Sequence, residues 1–408
     1  MSQQIYVYIQ QPENLKFETL GRLTVENNKG HWIYSPAYTG TWVPDEIHYP
    51  LRKAPYIVDS NNGIPGFIMD LMPDHWGKLL IERIYLPQLD RPLTDLDYLL
   101  LSQNSDRFGS LTIGDSKKPN QKATSERFER FENVSGFIGF VDKVRSGKPI
   151  DSVNFALFQT SSLGGARPKI TLRDDNALYL AKPRDINDLV DTPKVEYLCL
   201  KFAAEKGFNV AEFSFETINH LNIDRNFLVL KRFDRTFNQE KMIFERHPML
   251  SALSLLDAAW ISTDTQRWSY PLLANEMIRK NIPAEDIHEL YKRMAFNALI
   301  GNDDDHPKNH AFIYLGNQWR LAPLFDVVPE TKHVPTQLAM QIGEQGRVIN
   351  RENLLSMCAQ FKLTRVEAEQ ILDEVASWEN ELREIYREEL TSDDYVLVGK
   401  ALDKNRLL

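Results

Sequence analysis

An α+β fold follows from the order in which two hydrophobic rhythms occur along the 408 residues. The first third alternates apolar and polar side chains with the period of two that suits strands, and Gly and Pro punctuate it. Beyond Arg235 the apolar residues recur mainly at helical spacing. Strands first and helices afterwards segregate the two element types, which is the α+β arrangement.

Ile5-Tyr-Val-Tyr-Ile9 alternates cleanly, and shorter extended runs follow at Gly21–Val25 and Trp32–Tyr34. Residues 1–114 are therefore expected to be a mostly antiparallel β unit, closed by short helices at Leu79–Tyr85 and Leu93–Leu101. Asp115–Glu129 is polar and nearly lacks large apolar residues, so it reads as a linker or flexible loop. Residues 130–234 mix strands and helices. One helix is expected to start at Thr192-Pro193, a capping residue followed by proline at the first helical position. Residues 235–408 form a mainly helical remainder. Its last long helix begins at the capping box Thr364-Arg-Val-Glu367 and is expected to run to about Leu390.

Composition narrows the compartment and the partners. A hydrophobic fraction of 42% supports substantial cores, and the net charge of −9 argues against a surface that grips nucleic acid throughout. The only cysteines, Cys199 and Cys358, lie far apart, which suits a reducing cytoplasm and supports neither a disulfide framework nor a cysteine zinc site. The first residues lack the basic and apolar pattern of a signal peptide, and no stretch is long enough to span a membrane.

The most informative segment is Gly301-Asn-Asp-Asp-Asp-His-Pro-Lys-Asn-His310, followed by Leu321-Ala-Pro-Leu-Phe-Asp326. Asp304 stands five residues before Asn309, with Asp326 shortly beyond. The same interval occurs in the catalytic loop of protein kinases, where the Asp accepts the substrate hydroxyl proton and the Asn and a later Asp hold magnesium. Three consecutive aspartates also read as a solvated loop. Here, however, apolar Met294–Ile300 runs into the loop and Ala311–Leu315 leaves it, a rigid mount for chemistry. His306 and His310 admit a zinc reading with Asp304, but no H-E-x-x-H pattern accompanies them, and His306 reads better as a hydrogen-bonding brace of the loop.

A second segment, Ser161-Ser-Leu-Gly-Gly-Ala-Arg-Pro-Lys169, precedes the extended run Ala177–Lys182. Gly164, Gly165 and Ala166 would let backbone N–H groups approach phosphate, with charge from Arg167 or Lys169. The spacing fits neither a Walker motif nor G-x-G-x-x-G, so an ordinary glycine turn reads equally well. Lys182, ending its strand before Pro183, reads either as a phosphate-reaching lysine or as an exposed strand end.

Together these motifs resemble the HipA-type serine/threonine kinases, the toxin half of bacterial toxin–antitoxin pairs. The resemblance rests on Ser162–Lys169, Tyr179–Lys182, Val229-Leu-Lys-Arg-Phe-Asp-Arg235, Asn302–Asn309 and Leu321–Asp326, with Gly66–Asp74 and Asp106-Arg-Phe-Gly-Ser-Leu111 matching the accompanying N-terminal subdomain. It implies a bilobal kinase-like fold, with an N-terminal HipA-type subdomain at 1–114, an N-lobe at 130–234 and a helical C-lobe at 235–408. It also implies ATP and Mg2+ as cofactors. Asp304 would be the catalytic base and Asn309 and Asp326 the metal ligands. Lys182 would steady the phosphates, backbone groups of Lys231 and Phe233 would pair with adenine, and Asp234 would lie near the ribose. Glu196 would pair with Lys182 or, equally, simply favour its helix dipole. Ser162 corresponds to the family's autophosphorylated loop serine, with Ser161 as a second site. The implied partners are a protein substrate such as an aminoacyl-tRNA synthetase and a helix-turn-helix antitoxin of HipB type, through which alone DNA would be met. A nucleotide-binding scaffold and a small-molecule or lipid kinase are the alternatives. The chain departs from ordinary protein kinases in lacking His-Arg-Asp before the loop, in following Asp326 with two valines, and in lacking Ala-Pro-Glu. Asp305 stands where the family often has a smaller residue.

Overall fold

The computed structural model describes residues 3–149, 167–260, 266–403 and 405–408. The loop residues Ser161, Ser162, Gly164, Gly165 and Ala166 lie outside them. The chain divides into two compact units. One comprises Met1–Ile186, Glu216–Arg225 and Val229–Leu250; the other comprises Asn187–Phe215, Asn226–Leu228 and Ser251–Leu408.

In the first unit, β1 (Gln3–Gln10), β2 (Phe17–Glu26), β3 (Lys29–Tyr34), β4 (Tyr56–Val58) and β5 (Leu111–Gly114) form an antiparallel sheet ordered β4-β3-β2-β1-β5. Burial alternates only in the first half of β1, with Ile5 and Val7 inside and Tyr6 half-buried; Tyr8, Ile9 and Gln10 are all buried, and Trp32 packs edge-on against Phe67 and Tyr34. Two helices close the sheet. His75–Tyr85 starts a turn earlier than the apolar pattern indicates, because the Asp74 carboxylate caps the Gly77 N–H at 2.8 Å. Asp95–Leu101 begins at a reciprocal capping box between Thr94 and Asp97. In the polar stretch after β5, Gln121–Thr124 forms one helical turn that buries Ala123.

A second sheet contains β6 (Glu129–Arg130), β7 (Ile170–Arg173), β8 (Leu178–Pro183), β9 (Phe213–His220) and β10 (Ile223–Lys231), ordered β6-β7-β8-β10-β9. Ile170 pairs with Ala181 and Arg173 with Leu178, so Lys182 lies at the β8 end opposite the tight β7–β8 turn.

The second unit is mainly helical. Its helix Thr192–Glu205 is capped by Asp191, one residue before the expected Thr192, because the Asp191 carboxylate accepts from Lys194 N. The predicted capping box at Thr364 and Glu367 is present. The helix after it does not run unbroken to Leu390, however: it stops at Ser377, and a new one spans Glu379–Glu389. Trp378, at the break, is buried against Phe202, Phe208 and Phe296. Burying so large an aromatic surface outweighs a continued helical ladder.

Candidate functional site

The helix Ala284–Ile300 carries the acidic loop. It ends at Gly301, whose left-handed φ of 69° suits glycine, and a Cβ there would meet the Ala401 methyl at 2.8 Å. Asn302 then turns back onto the helix. Its backbone N–H donates to Asn297 O, and its carboxamide donates to Asn297 Oδ1 at 3.1 Å and to Asp326 O at 3.5 Å. One buried carboxamide thus ties the loop start to the segment that ends in Asp326.

Asp304 is exposed at the loop apex, and its backbone oxygen is the loop's internal anchor. It accepts from His306 N at 2.8 Å and from Asn309 Nδ2 at 3.1 Å. Because the Asn309 nitrogen is committed there, its oxygen is the atom left to serve as a ligand. Asp305 points the other way and is buried with His310, the Nε2 lying 2.9 Å from its carboxylate, off the line a hydrogen bond prefers. His306 packs edge-on against Trp260, with ring centroids 4.7 Å apart, and its Nδ1 has no hydrogen-bond partner among the described residues. His306 thus braces the loop through its backbone hydrogen bonds to Asp304 and Asn309, and its ring adds an aromatic contact. Burial lowers the His306 pKa, and the neighbouring charges of Asp304, Asp326 and Asp305 only partly oppose that. Neither histidine sits on a helix, so the one-face zinc geometry is absent.

Asp326 occupies the left-handed region at φ 54°, a conformation that costs a residue with a Cβ energy but that Asp tolerates better than most. The Glu196 carboxylate receives its backbone N–H at 3.1 Å. Glu196 is thus a positioning group for Asp326, a contact that sequence spacing did not reveal. The approach to Asp326 is also pinned. Leu324 N donates to Asn209 O, and fully buried Arg293 donates to Ala322 O at 2.9 Å and to Glu289. Arg293→Ala should destabilise the protein by about 3 kcal/mol, since it removes one partner of a largely buried ion pair. Denaturant unfolding measures this, and a loss below about 1 kcal/mol would make Arg293 dispensable. The sequence signal for these supports was weak but present: Asn297 is the one polar residue in the apolar run Met294–Ile300, and Arg293 directly precedes that run.

Near the loop, Asp303, Glu330 and His333 bring three ligand-type atoms within 4.8 Å of one another. Burial and the Glu330 charge raise the Asp303 pKa, while His333, 3.0 Å away, opposes them.

The first unit holds the other sequence-predicted residues. Lys182 is buried on β8. Lys169 is buried in an ion pair with Asp74 at 2.9 Å, so its charge is already offset by a carboxylate. Arg232 N donates to Leu178 O, which orients the segment holding Lys231 and Phe233. Asp234 is buried, and both of its carboxylate oxygens accept hydrogen bonds. They accept from Arg232 at 2.9 and 2.8 Å, from Arg235 at 2.6 Å and from Gly109 N at 3.0 Å. Burial alone would raise its pKa, but the charges of Arg232 and Arg235 hold it far below the usual carboxylate range.

Comparison with known proteins agrees with this architecture. The model of the HipA-like C-terminal domain matches residues 161–382. A Sinorhizobium fredii protein whose name proposes a kinase, Y4mE, is 26% identical over 202 residues, covering 45% of this chain and 46% of that protein. A Haemophilus influenzae protein also named in kinase terms is 27% identical over 187 residues, covering 42% of this chain and 53% of its own. The matched region thus spans about half the length of these relatives. Among solved structures, the HipA–HipB–operator DNA complex of Shewanella oneidensis MR-1 contains a chain that superposes with a TM-score of 0.68 at 14% identity, covering 99% of this chain and 95% of that one. The α+β, kinase-like fold expected from the sequence is the fold observed.

Proposed function

Because the chain belongs to the HipA-like C-terminal domain family, we propose that it is an ATP- and Mg2+-dependent serine/threonine protein kinase. The observation that carries this reading is the arrangement around the acidic loop. Asn309 has its nitrogen spent on Asp304 O, and Asp326 is held in a left-handed conformation by Glu196 and Asn302. Asp326 is one of several non-glycine residues with positive φ among the described residues, and strained backbone recurs at functional sites. The Asn309 oxygen and the Asp326 carboxylate are the hard donors that suit magnesium. Bound there, the ion would offset charge on the transferring phosphoryl group.

In the proposed reaction, the acceptor hydroxyl oxygen forms a bond to the γ-phosphorus as the bond to the β–γ bridging oxygen breaks and ADP leaves. The hydroxyl proton passes to the Asp304 carboxylate, whose work is mainly orientation. Lys182 steadies the phosphates, and backbone groups of Lys231 and Phe233 face adenine. Asp234 supports that segment, since its own oxygens are spent within the protein. Lys169, three residues after Ala166 in sequence, is paired to Asp74. The acceptor is proposed to be a translation-related protein such as an aminoacyl-tRNA synthetase. A HipB-type antitoxin is the proposed partner, with DNA met only through it; this extends to the chain what the Shewanella complex contains.

The test is incubation of the purified protein with radiolabelled ATP and cell lysate. A labelled protein band supports the reading. Label in a metabolite or lipid would replace it with a small-molecule kinase, and nucleotide binding without transfer would replace it with a scaffold. The same sample tests the loop serines. Wild-type protein expressed at high level should carry phosphate on the 161–169 peptide, chiefly at Ser162, and Asp304→Asn should not. The added charge of about −1.5 to −2 would oppose ATP phosphates in that loop. An unphosphorylated peptide from active enzyme ends the autophosphorylation proposal.

A further inference from the structure

Two motifs more than a hundred residues apart interlock inside the first unit. Asp106-Arg-Phe-Gly109 follows the N-terminal helices, and Arg232-Phe-Asp-Arg235 follows β10. The Arg232 guanidinium is the centre of the contact. It makes a two-point bond to Asp234, and its remaining nitrogen donates to Asp106 Oδ1 at 2.7 Å and to Thr171 Oγ1 at 3.1 Å. Thr171, on β7, in turn donates its hydroxyl to Asp106. Asp234 also accepts from Gly109 N, and Arg107 O accepts from Arg232 and Arg235 at 3.2 and 2.6 Å. Asp106, Thr171, Arg232, Asp234 and Arg235 are all buried.

Burying charge is costly unless the partners are in place, and Arg232, with all three guanidinium nitrogens engaged, strongly favours one arrangement of its backbone. Arg232 and Asp234 must point inward. The chain turns at Phe233–Asp234 just after β10, and Lys231 and Phe233 on either side of Arg232 are less buried than Arg232 and Asp234. We propose that the Asp106–Thr171–Arg232–Asp234 lock is a positioning device for nucleotide binding: it fixes the register in which Lys231 and Phe233 present their backbone groups to the adenine base. This rests on the kinase reading above. The N-terminal motif thereby contributes to ATP affinity without touching ATP.

Titration with Mg-ATP by calorimetry tests the lock in the full chain. Asp106→Asn and the milder Thr171→Val should each weaken binding, by about tenfold and about threefold. The KM for ATP should rise in step, with kcat at saturating ATP within twofold of wild type. Asp142→Asn, which breaks the exposed side of a separate ion pair to Arg225 in the same unit, is the control and should leave the affinity unchanged. Folded variants with wild-type ATP affinity would overturn the lock, as would an equal loss in Asp142→Asn. A wild-type protein that binds no Mg-ATP would instead overturn the kinase reading itself.

Discussion

Asp304→Asn is expected to lower phosphoryl transfer by about 10²- to 10⁴-fold, the usual contribution of a positioned general base. Its thermal unfolding should remain that of wild type. The two halves of this expectation come from different atoms. The carboxylate is exposed at the loop apex, and exposed substitutions usually change stability by less than about 0.5 kcal/mol. The loop is held instead by the Asp304 backbone oxygen, which accepts from His306 N and Asn309 Nδ2 whatever the side chain is. Asn is also close to Asp in size and keeps one acceptor oxygen. Mg-ATP affinity should therefore survive while turnover falls. Turnover of Asp304→Asn within threefold of wild type, measured by transfer of labelled phosphate, would remove the base assignment.

How much of this was legible beforehand divides along sequence distance. The acidic loop stood out because its chemistry is local: Asp304 and Asn309 are five residues apart, and the interval itself carries the information. Capping boxes are equally local, and the one at Thr364 is where the residues place it. The early strands were visible through the alternating Ile5–Ile9 run, although β1 buries Tyr8 and Gln10 as well as Ile5, Val7 and Ile9. What stayed hidden depends on partners that no spacing links. Nothing in the run Lys231–Asp234 indicates that Asp234 will accept from Gly109 N, 125 residues earlier, so the likeness to kinases alone placed it near a ribose. Lys169 similarly reads as a phosphate ligand until Asp74, 95 residues away, is found beside it. The break at Trp378 is hidden for another reason. The residues around it are good helix formers, and the interruption comes from the aromatic cluster that Trp378 joins, a tertiary preference that local propensity does not contain.

Asp326 offers a second large effect, and one that separates function from folding. Its φ of 54° is a conformation in which a Cβ is disfavoured by about 1 kcal/mol and glycine is at ease. Glycine would also cost about 0.5–1 kcal/mol through the freedom it gives the unfolded chain, so the two contributions nearly cancel. Asp326→Gly is therefore expected to unfold within a few degrees of wild type, while Asp326→Ala, with a Cβ and no tolerant side chain, should be less stable than Asp326→Gly. Both should lose at least about 10²-fold in activity, the scale on which a metal ligand stabilises transferring charge. Raising the Mg2+ concentration should recover part of the loss, because Asn309 remains. The supports argue in the same direction: Glu196 and Asn302 grip only the backbone of Asp326, through its N–H and its carbonyl, and so would hold the variants as they hold the wild type. A protein that needed Asp326 only for its turn would be improved or unharmed by glycine. If Asp326→Gly is as active as wild type at limiting Mg2+, the left-handed turn is structural and the metal lies elsewhere. If it is folded and inactive, the strain at residue 326 is retained for the carboxylate that the turn presents.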